Sequence, residues 1–487
     1  MKSSNKYWKG IDELDQSADF VSSQENEFSE GLPLEKIFTS DDDSVRANRR
    51  DFLKYFGFSV GAVTLAACNK APVKKAVPYV VKPENVTPGV PLYYAGSSVS
   101  NSEGYPMLVK VREGRPIKFE PNKEATFFGG GLDGLAHSAI LSLYDINRLK
   151  GAMVAGDRKP QAWADFDKDV IKALDATAAS GKSIAIVTNS NTSLVVDQAI
   201  KDFSAKYTNT ETVAYEPISY SGIIEANKKS FGEGKGVIPT YNFQNADVIV
   251  SFGADFLGTW ISPMKFHADY GVNRVPKDGV MSKHYQFESL MSLTGTNADH
   301  RAPMKMSNVG QHLIALYREL GGATPEKGME LAGNAIKESA AALKAAKGKS
   351  LVVCGSNNIN DQMLVNKINM MLGNYGSTID LTNHYMGQSA DDAKFNQFLQ
   401  DAKGGKYGAA IFVNCNPVYS HSGAADAIAK IGTRISNAIT MDETASTATH
   451  IATDLHPLES WDIKQPYKGK YVFSQPTISP VFEGRHI

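Results

Sequence analysis

The sequence predicts a multi-lobed α/β fold, with a small N-terminal β-hairpin region followed by doubly wound sheet lobes. Three observations predict it. Short apolar runs end in glycine or small polar residues at SIAIVTNS (183–190), ADVIVSFGAD (246–255), SLVVCGSN (350–357) and AAIFVNCNP (409–417). Runs rich in β-branched residues, with turn chemistry at their carboxyl ends, are what parallel strands buried on both faces produce. Between them, TSLVVDQAIKDFSAKY (192–207) and NVGQHLIALYREL (308–320) repeat apolar residues at spacings of three and four, the period of a helix lying on a sheet. Ahead of both, PMLVKVREGRPIKFEPN (106–122) reads as two strands around the turn Glu113-Gly114-Arg115-Pro116. In such sheets ligands sit outside the carboxyl ends of the strands, at a switch point in strand order.

Composition bounds the function. The chain has 487 residues, with 51 Lys and Arg against 52 Asp and Glu, a net charge of −1. That balance gives no reason to expect nucleic acid as a partner. The length exceeds one comfortable core, so one large composite domain or two to three lobes are expected. An apolar fraction of 42% is ordinary for a globular chain and far from that of a membrane-spanning bundle. There are three cysteines, Cys68, Cys354 and Cys415, and no CxxC pair. Three thiols cannot build a disulfide framework, and a 4Fe–4S cluster normally takes four thiolates. Cys354 and Cys415 sit in apolar strand patterns and read as small core residues.

In chain order, residues 1–48 form an acidic leader. Residues 49–67 read as an export signal: Arg49 and Arg50, then Asp51, Phe52, Leu53 and Lys54 give the twin-arginine form. The uncharged stretch Tyr55 to Ala67 would rise about 20 Å as a helix, short of a bilayer core of about 30 Å but right for a signal's apolar region. Leu65-Ala66-Ala67-Cys68 has the form of a lipobox, with Cys68 as the acylated residue. Burying acyl chains is worth about 0.8 kcal/mol per methylene, so two or three chains anchor stably where one does not. Residues 68–90 are proline-rich and lysine-bearing, an extended tether. Localisation at the periplasmic face of a bacterial inner membrane, held by a lipid anchor, is the expectation.

The leader fragments YWKGIDEL and EFSEGLP, ahead of RRDFLKYFGF, resemble the extended export region of molybdopterin/iron–sulfur proteins. In particular they resemble that of the molybdopterin-like subunit of alternative complex III, a bacterial quinol-oxidising membrane complex. The resemblance continues in order over roughly residues 90 to 487. VKVREGRPIKFEPNKE and LSLYDINRLKGAM resemble the opening domain of the molybdopterin oxidoreductases, and ADVIVSFGADFLGTW their first dinucleotide-type cofactor lobe. AAIFVNCNPVYS and MDETASTATHIATDLHPLESWD resemble their later segments. The resemblance implies a molybdopterin-oxidoreductase-like fold, with residues 91–155 as a degenerate iron–sulfur-type β-rich region and 156–487 as the α/β region. YVFSQPTISPVFEGRHI (471–487) resembles a segment that leads onward in the family, so further sequence is expected beyond it.

The departures carry the functional reading. Cluster-bearing members place three cysteines before the hairpin and a fourth before the L-Y segment. Here the first stretch is YYAGSSVSNSEGYP, and the second has Leu135-Ala136-His137-Ser138 in place of the family's L-C-x-K-G. Serine and alanine cannot hold a cluster. No cofactor is expected in this chain, neither a 4Fe–4S cluster nor molybdopterin, and clusters are expected in a downstream part or a partner. In AYEPISYSGIIEANKKSFG (214–232), Ser219 or Ser221 stands where an active relative would bear its metal ligand; serine before a helix is more often an N-cap. His300, in NADHR, reads either as an acid–base group or as part of a salt-bridged loop. Neither GGG (129–131) nor GEGKG (232–236) has the lysine or the preceding strand that a phosphate cradle needs.

The resemblance implies a non-catalytic scaffold part of a quinol-oxidising complex, with integral membrane, cytochrome c and iron–sulfur subunits as partners. The alternative is an active molybdenum oxidoreductase of the polysulfide or dimethyl sulfoxide reductase type, with Ser219 or Ser221 at the metal. A third reading is a free-standing lipoprotein that binds a small solute in the old cofactor crevice.

Overall fold

In a computed structural model, the structure describes residues 86–97, 104–155, 159–276, 279–323 and 334–486. The acidic leader, the export signal with Arg49, Arg50, Phe52, Leu53 and Lys54, and Cys68 lie outside the described residues.

The chain opens with β1 (Leu92–Ser97), β2 (Pro106–Arg112) and β3 (Arg115–Pro121), an antiparallel sheet in that order. Next come β4 (Met153–Val154), β5 (Ser183–Thr188), β6 (Thr210–Ala214) and β7 (Ile238–Tyr241). β8 (Val248–Phe252), β9 (Lys283–Glu288), β10 (His300–Pro303) and β11 (Ser350–Cys354) follow, then β12 (Ile379–Tyr385). β13 (Tyr407–Val413), β14 (Thr433–Ser436) and β15 (His450–Ile451) lead to a hairpin of β16 (Asp462–Tyr467) and β17 (Lys470–Ser474).

These strands form two parallel sheets and one antiparallel sheet beyond the first. The larger parallel sheet has the order β4-β15-β14-β13-β5-β6, with only β4 antiparallel, at its edge. The smaller, wholly parallel one has the order β10-β9-β8-β11. The antiparallel sheet β17-β16-β12-β7 draws its strands from widely separated parts of the chain. Everything from β7 to β12 is therefore an insertion between β6 and β13 of the larger sheet. β4 falls inside the 91–155 segment but pairs with β15, so the hairpin region is stitched to the α/β region by a strand of its own.

Local chemistry explains the elements. β5, β8 and β11 are buried at every position, as strands covered on both faces must be. The helix Leu194–Lys206 starts where the Ser193 hydroxyl caps the Val196 amide. The helix Val309–Glu319 turns Val309, Leu313 and Leu316 onto the smaller sheet. Phe243 and Phe256 stack 4.3 Å apart in the core between that sheet and the antiparallel one. Burying each such ring is worth about 1.5–3 kcal/mol.

The hairpin turn is tighter than the four residues read from the sequence. Glu113 and Gly114 both take positive φ, 50° and 75°, so two residues make the reversal and Arg112 faces Arg115. Pro116 belongs to β3, which tolerates it because it is an edge strand with an irregular register at that point. Cys415 likewise lies outside a strand. β13 ends at Val413 because Asn414 turns to φ 52°, leaving Cys415 half-buried beyond it, while Cys354 is a core residue of β11.

Candidate functional site

In the larger sheet the chain leaves β5 outward to β6 and leaves β13 in the opposite direction to β14 and β15. The connections diverge between β5 and β13, the place where open α/β sheets form a ligand crevice. A cleft of about 430 Å³ opens there. Its walls are Asn189 to Ser193 after β5, Asn414 after β13, Thr440 after β14 and Asp454 to His456 after β15, with Asp462, Lys464 and His486 closing one side.

Hydrogen bonds order this cleft. Asn tolerates positive φ better than other side chains, and Asn414 is held there because its amide donates to Asn437 Oδ1 at 2.9 Å while Asn437 Nδ2 donates back to Asn414 Oδ1 at 3.1 Å. Asn437 Nδ2 also reaches Asp454 Oδ2 at 3.0 Å. On its other side Asp454 takes His486 Nδ1 at 3.3 Å, and that bond raises the imidazole's pKa against the pull of burial. Asp462 accepts from Ser193 Oγ at 2.6 Å, and burial lowers the Lys464 ammonium while Asp462 opposes it.

The fold class implies a dinucleotide-type cofactor, and these residues do not fit one. A pyrophosphate at a strand–helix turn needs close backbone approach and unspent amides at the helix start. The turn here is Asn189-Ser190-Asn191-Thr192-Ser193, without glycine. Several of its amides are spent internally: Asn189 donates to the Val413 carbonyl at 3.2 Å, Ser190 to Glu216 Oε1 at 2.8 Å, Ser193 to Asn191 Oδ1 at 3.0 Å and Val196 to Ser193 Oγ at 3.2 Å. Asp145, Asp454 and Asp462 face the space against Lys464 and His486, a lining that repels phosphate.

The smaller sheet has its own switch point, between β8 and β11. It is closed by backbone: a β-carbon on Gly355 would overlap the Gly253 carbonyl, so glycine is required for the two loops to meet. Ser219 and Ser221 lie beside this closure, and neither caps a helix. Ser219 Oγ donates to Asp392 Oδ2 at 2.6 Å and Ser221 Oγ to the same oxygen at 2.7 Å. Asn357 Nδ2 adds a third donor to it at 3.1 Å, and Asn357 Oδ1 takes the Gly222 amide at 2.7 Å. The structure thus brings both serines together, as a clasp around one carboxylate from the helix Asp392–Lys403.

Sequence reasoning missed the most deeply buried charge pair among the described residues. Arg148, in LYDINRLK, meets Glu459, in LHPLESWD, through two bonds of 3.0 and 2.7 Å, with side chains 2% and 0% exposed. Both segments carry the family resemblance, and an arginine in one with a glutamate in the other was the available signal. Burial pushes the Glu459 carboxyl up, but Arg148 and the amides of His456 and Val481 overcome it and hold it below the ordinary value. His456 accepts the Leu458 amide at Nδ1, so Nε2 carries the proton and donates to Ser142 Oγ at 2.9 Å. Burial, then the Arg148 charge, lowers the His456 pKa to about 4.

The remaining candidates are structural. His300 is exposed on β10, stacked on Tyr285 at 4.8 Å, while its neighbours Asp299 and Arg301 are tied to Arg274 and Glu288. Burial pushes the Cys354 thiol up to about 12 and raises that of Cys415, whose Sγ donates to the Val187 carbonyl at 3.3 Å. Neither is a nucleophile near neutral pH. Among the described residues no group of three or more His, Cys, Asp or Glu is placed to hold a metal ion, and no helix is long and apolar enough to cross a membrane.

No family model matches the sequence, and no curated protein matches it. Among solved structures the chain is similar to acetylene hydratase from Pelobacter acetylenicus, with a TM-score of 0.55 and 11% identity. The match covers 81% of this chain, which spans 66% of that protein's length. At that identity the likeness carries the fold alone: the chain has a multi-lobed α/β fold of the molybdopterin-oxidoreductase type.

Proposed function

We propose that this chain is a non-catalytic, molybdopterin-oxidoreductase-like scaffold within a membrane-bound quinol-oxidising complex of the alternative complex III type. It would be exported by the twin-arginine signal at Arg49 and Arg50 and anchored through Cys68 at the periplasmic face of a bacterial inner membrane. Its neighbours would be integral membrane, cytochrome c and iron–sulfur subunits, and electrons would travel through clusters held outside this chain.

The observation that carries the scaffold role is the clasp of Ser219 and Ser221 on Asp392. A serine that ligates a metal must give up its proton. Each of these hydroxyls already donates its proton to a carboxylate within 2.7 Å, and a second negative charge there is strongly disfavoured. The pyrophosphate misfit at the other crevice and the missing cluster thiols support the same reading. As a scaffold, the chain buries surfaces of its partners and fixes distances between their redox groups.

Metal analysis of the full-length protein purified from membranes tests this. Molybdenum and tungsten should be absent, with iron confined to co-purifying partners. Either metal near one per chain overturns the scaffold reading in favour of the catalytic alternative.

A further inference from the structure

We infer that Glu216 is the chain's own resident anion at the β5/β13 switch point, and that it excludes phosphate-bearing ligands from the cleft. The inference deepens the scaffold reading and rests on it. Glu216 follows β6, in a segment tied back to β5 by the Tyr215 amide donating to the Thr188 carbonyl at 2.8 Å. Its Oε1 takes the Ser190 amide at 2.8 Å, a bond that opposes the upward push of burial on its pKa. Ser190 is itself fully buried and accepts the Ser389 amide at 2.9 Å, so it cannot swing away. The carboxylate also acts on the thiol of Cys415, just past β13. Glu216 therefore stands among the carboxyl ends of β5, β6 and β13, holding with one oxygen a backbone donor that a phosphate oxygen would use.

Two terms exclude a phosphate. Its oxygen would have to displace Glu216 from the Ser190 amide, leaving a half-buried carboxylate without that donor. It would also bring negative charge toward Asp145, Asp454 and Asp462, which line the cleft and repel it.

The test is calorimetric titration of the full chain with inorganic pyrophosphate and with guanosine diphosphate. The wild type should bind neither at millimolar concentration. Glu216→Ala, which frees the Ser190 amide, should bind pyrophosphate at least tenfold more tightly than wild type. Glu216→Gln, which keeps an acceptor for the Ser190 amide without the charge, should bind pyrophosphate no more than twofold more tightly than wild type, because the occupied amide and not the charge of Glu216 is the barrier. Should Glu216→Ala not fold, Glu216→Asp, with its carboxylate withdrawn by one methylene, is titrated in its place. Submillimolar binding by the wild type, or a folded Ala or Asp variant with no gain, overturns the inference. Metal counts on the wild type report separately on the scaffold reading, so the two can fail independently.

Discussion

Replacing Arg148 with Met isolates the worth of the buried pair with Glu459. Methionine keeps the length of the side chain and removes the guanidinium, so the change is chiefly one of charge. Both Glu459 oxygens lose a bond, of 3.0 and 2.7 Å, while the carboxylate stays fully buried with only the His456 and Val481 amides to satisfy it. Breaking a buried pair in this way costs about 3–5 kcal/mol. The unit from Pro83 to Ile487 has roughly 400 residues, and an unfolding entropy of about 2.1 cal/mol/K per residue gives about 0.8 kcal/mol/K. The melting midpoint should therefore fall by about 4–6 °C in differential scanning calorimetry. Arg148→Met combined with Glu459→Leu removes both charges and should recover most of the loss. The pH dependence follows from the carboxyl's lowered pKa. The pair's contribution is complete above the ordinary glutamate value and is lost as pH falls through the lower folded value, so the single variant should differ least from wild type in strong acid. A drop of less than 1 °C at pH 7, or a double variant as unstable as the single one, would refute the account.

Three further outcomes follow from the same geometry. His284 and His456 each have a pKa lowered to about 4, chiefly by burial, against an unfolded value near 6.5. Their contribution is present above 6.5 and erodes below it by about 1.4 kcal/mol per pH unit for each group until the folded value is reached; a thermal midpoint flat between pH 6.5 and 4.5 would contradict this. Replacing both Ser219 and Ser221 with Ala leaves Asp392 only the Asn357 donor and should lower stability by about 1–3 kcal/mol for each bond lost, measured by chemical denaturation, with no change in metal content. Gly222→Ala places a β-carbon into the Asn357 carbonyl and should cost about 1–3 kcal/mol, with proteolytic cleavage accelerated in the segment 215–222.

The parts of the fold visible in the sequence are those set by local pattern. Strands β5, β8, β11 and β13 and the helices Leu194–Lys206 and Val309–Glu319 lie where apolar period and turn chemistry put them, because those rules act over a few residues. The turn after β2 was visible in kind but not in length, since Glu113 in positive φ leaves no mark in composition. The candidate site was legible only as residue types. That Ser219 and Ser221 share one carboxylate depends on Asp392, 173 and 171 positions away, and the Arg148–Glu459 pair spans 311. No periodicity encodes such distances. Glu216 was equally silent: an isolated glutamate after a strand reads as solvent-facing until β13 returns beside it.

The insertion of β7 through β12 between β6 and β13 has a consequence for the order of events at the ribosome. β5 can pair with β6 as soon as both emerge, but its other neighbour, β13, is encoded roughly 200 residues later. At about 5–20 residues per second, that edge of β5 waits about 10–40 s for its partner. During the wait β5, apolar on both faces, offers a template for wrong pairing. The inserted parallel sheet β8 to β11 has all its strands by Cys354 and its core residues by Leu372, before β13 is made, so it can close on itself ahead of the larger sheet. Nascent chains stalled near residue 400 should yield a protease-resistant fragment from the inserted sheet, while β5 and β6 are still digested and bound by holding chaperones.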